Sequence, residues 1–138
     1  MANEWIKVEL YGPNNDGEQR RYTVADGTQI SKGTLLQLTD PRTASKIGTR
    51  TDESIPVAGV ASMDKEANDG STSISVWTNG IFNVVASEAI TVGFPVLAAE
   101  DNKVFTSNAL AQSSSGGILG RAEATATDLE VINVRLRL

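Results

Sequence analysis

The strongest constraint on this chain is that it carries one pattern twice. Ile30-Ser31-Lys32-Gly33, followed by Leu36, Leu38 and Asp40, is answered by Ile90-Thr91-Val92-Gly93, followed by Val96, Ala98 and Glu100. Pro56-Val57-Ala58-Gly59-Val60-Ala61 is answered by Gly117-Ile118-Leu119-Gly120-Arg121-Ala122, and Ser73-Ile74-Ser75-Val76 by Asn133-Val134-Arg135-Leu136. Each copy reads as an apolar segment, a Gly turn, an alternating strand, a variable loop, an apolar-Gly-apolar strand and a closing alternating strand. Two copies are too few for a solenoid, so they are expected to close around one shared core as a barrel or sandwich. The 138 residues fit one domain. Within it, 1–24 reads as an N-terminal arm and hairpin and 25–138 as the duplicated body, with copies at about 27–82 and 87–138.

Ahead of the repeat, Ile6, Val8 and Leu10 share one face of an extended segment, with Lys7 and Glu9 on the other. The turn formers of Tyr11–Gly17 follow, and Arg20–Val24 reads as a returning strand. Thr39–Ser54 and Ser107–Gly117 read as polar loops, and Ala61–Asn68 and Ser107–Gln112 are too short for convincing helices. With 5% aromatic residues and 12 glycines, the expected class is all-β with little helix. The expected architecture is a compact β-barrel or β-clip-like body with an extended N-terminal arm.

The chain has no His and no Cys. That removes thiolate and imidazole chemistry, disulfides and Cys/His zinc sites. A serine nucleophile would need a desolvated lysine as base, and Lys32, Lys46, Lys65 and Lys103 all adjoin turn or loop residues. The acidic pairs Asp52-Glu53 and Glu100-Asp101 and the run Asp64-Lys65-Glu66 lack the spacing of a calcium loop. Gly116, Gly117 and Gly120 lack the Lys-Ser/Thr ending of a phosphate loop. The expectations are therefore no catalytic residues, no metal, no cofactor and no enzyme activity. Net charge is −5, so a phosphate backbone is repelled and nucleic acid is not an expected partner. Neither a basic-then-apolar leader nor a run long enough to cross a membrane is present, so no membrane is expected either.

The tryptophans are the most informative side chains. Trp77 closes an alternating run and reads either as core packing or as a candidate subunit contact. Trp5, with Ile6 and Val8, lies outside the repeat, where it can serve an arm that adds a strand to a partner or an edge strand of its own sheet.

The run Ala25-Asp26-Gly27-Thr28-Gln29-Ile30-Ser31-Lys32-Gly33-Thr34-Leu35-Leu36, then Leu38-Thr39-Asp40-Pro41, the Val57–Ala61 strand and the second copy ending Val134-Arg135-Leu136 resemble the small capsid decoration, or cement, proteins of tailed phages. That family is similar in role to the lambda head decoration protein. The resemblance implies a structural virion protein made in the host cytoplasm. It implies a homotrimer on the outer capsid surface, stabilising the expanded shell, with an arm that touches the major capsid protein. On this chain the arm would be Ala2, Asn3, Glu4, Trp5, Ile6, Lys7 and Val8. Gly27–Gly33 also resembles the opening of β-clip modules, which implies the alternative of a small-ligand or carbohydrate-binding module.

Overall fold

The computed structural model describes residues 3–10, 18–47, 56–106 and 118–138. The described residues form eleven strands: β1 (Ile6–Glu9), β2 (Gln19–Thr23), β3 (Leu35–Thr39), β4 (Thr43–Lys46), β5 (Val57–Ala61), β6 (Ser73–Trp77), β7 (Asn79–Val85), β8 (Pro95–Ala98), β9 (Val104–Phe105), β10 (Ile118–Ala122) and β11 (Val131–Arg137). The all-β expectation holds. A tight turn at Glu100–Asn102, with positive φ at Asp101 and Asn102, is the only helical feature among the described residues.

Strands β2-β4-β3-β5-β6 close into a barrel, and β1-β7-β11-β10-β8-β9 form a second sheet. Apart from β1, the second sheet repeats the first strand for strand. β7 pairs with β11 as β2 pairs with β6, and β8 with β10 as β3 with β5. The parallel bridge Ala86↔Val104 falls where Thr23↔Thr43 joins β2 to β4. The Gly turns match as well. Gly33 N–H donates to Ala61 O and Gly93 N–H to Ala122 O, while Ile30 and Ile90 bridge Lys65 and Ala126.

These pairings move the repeat boundaries. Each unit begins one strand before its Gly turn, with β2 or β7, so the units are 19–77 and 79–137. The strand β7 belongs to the second unit, although the sequence pattern put Asn79–Phe82 at the end of the first copy. The expected hairpin of 1–24 is likewise divided, since β1 pairs with β7 and β2 with β6 and β4. The closing strands are in a different register from the one read in the sequence. Ala61 faces Val76 and Ala122 faces Val134, so Val76 is equivalent to Val134 and not to Leu136. Both registers put apolar residues inward because strand periodicity is two, and the sequence could not separate them. Strand β4 lies inside the expected loop Thr39–Ser54 because Ala44 turns into the barrel core.

Val24, Ile30, Leu36, Ala44, Ala58, Ala61, Ile74 and Val76 fill the first barrel. A larger cluster fills the second unit and joins it to the first, where Leu35, Val57, Val60 and Trp77 meet Trp5, Leu10 and Phe82. Strand β5 is buried along its whole length because it stands between the two clusters.

Candidate functional site

The N-terminal segment is the part of the surface that the duplication does not generate. Trp5 is a core residue at 3% exposure, which corrects the expectation of an arm free from Ala2 to Val8. Its ring packs on Phe82 with centroids 5.6 Å apart. Its backbone N–H donates to Gly33 O at 2.8 Å, and its indole N–H donates to Asn102 O, also at 2.8 Å. Asn102 is buried between the units and accepts the Leu35 N–H on Oδ1 at 2.9 Å. The segment is held because an aromatic with a satisfied N–H fills the seam between the two units. Asn3 adds a bond from Nδ2 to Asp101 O, and Ala2 lies outside the described residues.

Beyond Trp5 the chain surfaces. Strand β1 is the outer strand of its sheet, and its ladder to β7 is broken by an irregularity between Lys7 and Glu9. Ile6 is 64% and Val8 51% exposed, so two aliphatic side chains of an edge strand face solvent. Lys7 stands opposite the inward Phe82 and so leans toward Trp77, with Nζ 6.0 Å from that ring centroid; Lys32 Nζ is 5.6 Å from it. Glu4, Trp5, Ile6, Lys7, Lys32 and Trp77 line a cleft of about 420 Å³. Trp77 itself is 4% exposed and packs on Phe82 at 5.7 Å, so it is a core residue of its own chain and has little area to give a neighbouring subunit.

Two other groupings were invisible in the sequence. Lys65 is 3% exposed, unlike the loop lysine expected there. Its ammonium donates to Asp26 O, Glu66 O and Asp69 Oδ1 at 2.8, 3.0 and 3.1 Å, which uses its three donors. Asp69 also accepts the Ser71 N–H, and that bond, with the Lys65 contact, holds its carboxyl below the usual aspartate range. The run 64–69 therefore closes a loop around a buried cation. The second grouping lies on the open face of the second unit, where Arg121 stands directly across from Arg135 and Arg137 follows on the same side of β11. Alternation along 131–137 places Arg135 and Arg137 together, but only the β10–β11 register brings in Arg121.

Fold and surface together define a tandem β module: two like units joined through an apolar seam, with an exposed edge strand at one side. The phage cement protein family model matches residues 15–137, and the chain belongs to that family, whose members are structural proteins of the phage capsid. The match begins beyond β1. No curated protein matches the chain. Among solved structures, it is similar to the N base of the head fiber gp8.5 of bacteriophage phi29, with a TM-score of 0.54 and 16% identity. That likeness covers 86% of this chain and 94% of the other, and it is a likeness of fold.

Proposed function

We propose that the chain binds the outer surface of a phage capsid as a homotrimer and stabilises the expanded shell, with no catalysis involved. The observation that carries this is membership of the cement family over 15–137. The fold likeness to a head fiber base agrees with a place on the capsid exterior. A shell is weakest where its subunits meet, and a protein that binds only the expanded lattice stabilises it by mass action. Three copies in a closed ring make identical contacts with several capsid subunits, so each contact can be weak while the assembly holds. Part of the contact is assigned to β1, where Ile6 and Val8 offer apolar area on an open strand edge. The major capsid protein is the partner, and a net charge of −5 disfavours nucleic acid as another.

The test is co-sedimentation with expanded capsids that lack this protein, together with light scattering of the free protein. Saturable binding to expanded but not unexpanded shells, three copies per binding position and a raised melting temperature of the shell are expected. No binding to the expanded shell overturns the proposal.

A further inference from the structure

The cleft between β1 and the Lys32 turn has more donors than acceptors. Lys7 and Lys32 each come within about 6 Å of the Trp77 centroid, and neither ammonium has a carboxylate partner among the described residues. The two lysines outnumber Glu4 in the lining, which makes the cleft net positive on a chain of net charge −5. The indole N–H of Trp77 is buried and donates to nothing among the described residues, whereas that of Trp5, next to it in the same seam, is bonded to Asn102 O. A buried indole N–H normally finds an acceptor, and leaving it unmet costs free energy. Lys7 and Lys32 are exposed side chains with wide rotamer freedom, so the cover over the ring is the movable part.

We propose that this cleft receives an acidic side chain from an extended segment of the capsid partner. Its carboxylate bridges Lys7 and Lys32 next to the Trp77 ring, whose indole N–H reports its arrival. The inference rests on the capsid-binding function proposed above and adds the chemistry of the contact. Charge complementarity selects an acidic occupant, and the open edge of β1 with its exposed Ile6 and Val8 gives the flanking chain a place to lie.

Two measurements separate this inference from the broader function. First, the protein is labelled with ¹⁵N and titrated with hexaglutamate, with hexaglutamine as the control. The Trp77 indole N–H signal should move with hexaglutamate, by more than that of Trp5, and in the Lys7→Gln/Lys32→Gln variant it should not. A Trp77 signal that stays fixed, or that moves equally with hexaglutamine, overturns the proposal. Second, the same variant should bind expanded capsids about tenfold more weakly at low salt, as two lost ion pairs imply, with the gap closing as salt rises. Wild-type binding matched by the variant overturns the cleft while leaving the capsid function standing. If the wild type itself fails to bind capsids, the capsid function falls, and with it the partner named here. A duplex DNA that displaced hexaglutamate would also overturn the proposal, because the cleft would then be a general anion site.

Discussion

Gly33 and Gly93 have the same backbone conformation, at φ +92 and +86, but different neighbours. A Cβ at Gly93 meets nothing within 4 Å, while one at Gly33 comes to 2.5 Å from Trp5 O. Gly93→Ala should therefore cost only the left-handed backbone term of about 1 kcal/mol. Gly33→Ala should cost clearly more, because the N-terminal segment must also move; equal melting temperatures for the two variants would show that Trp5 is not seated on the turn. Lys65 makes the same comparison between the units, since its counterpart is Ala126. With its three bonds lost and Asp26 and Asp69 left facing each other, Lys65→Ala should destabilise by about 2 kcal/mol, while both partners remain partly solvated. The pH dependence has the same origin. The Ser71 N–H and Lys65 lower the Asp69 carboxyl, and the Thr127 hydroxyl and N–H lower that of Glu130. A carboxyl lowered by folding stabilises the fold at pH above its unfolded value and loses that contribution as pH falls through the lower folded value. Melting temperature should thus decline on acidification below the ordinary carboxylate range, and Asp69→Asn should flatten the decline; an unchanged slope would remove Asp69 from the account.

Strand β1 joins two roles that the sequence pattern could not separate. Its alternation was legible, and so was the importance of Trp5, but the pattern does not say which strand a segment pairs with. The ladder to β7 and the seam between the units are long-range facts, and they make Trp5 a core residue while Ile6 and Val8 stay outside. The two roles have different consequences. Trp5→Ala should lower stability by about 3 kcal/mol or more, the range for truncating a buried aromatic. Ile6→Ser with Val8→Ser should leave the melting temperature of the free protein nearly unchanged, because exposed substitutions usually lie within about 0.5 kcal/mol. The same pair should weaken binding to expanded capsids. Thermal melts and co-sedimentation of the two variants check this, and a double serine variant that melts early but binds normally would reverse the assignment. The Gly turns and the paired apolar strands were also legible, because φ-positive turns and strand periodicity leave local marks. The partition of β2 and β7 and the register of β6 and β11 were not, since a two-residue shift keeps every side chain on its face.

At the scale of the whole molecule, the equivalence of the units explains why one face is apolar and its copy is charged. The cross-strand row Leu35–Val60–Trp77 on β3, β5 and β6 corresponds to Pro95–Arg121–Arg135 on β8, β10 and β11. In the first unit that row is covered by the second unit and is buried. In the second unit Arg121 is exposed and Arg135 half-buried. The units are thus stacked head to tail, and such a stack ends in a face that nothing among the described residues covers. Were that face as apolar as its copy, it would be a large exposed apolar patch, and such a patch drives association between molecules. Charged arginines are costly to desolvate, Arg121 with its Glu123 ion pair included, and so they keep that face from such association. Arg121→Val together with Arg135→Trp, which copies Val60 and Trp77, should therefore make the protein associate in a concentration-dependent way. Sedimentation velocity at increasing concentration reads this directly. Arg121→Lys with Arg135→Lys should sediment like the wild type, because the charge is kept. A Val/Trp variant that stays at the wild-type mass at every concentration would mean that the arginines are not what keeps that face from association.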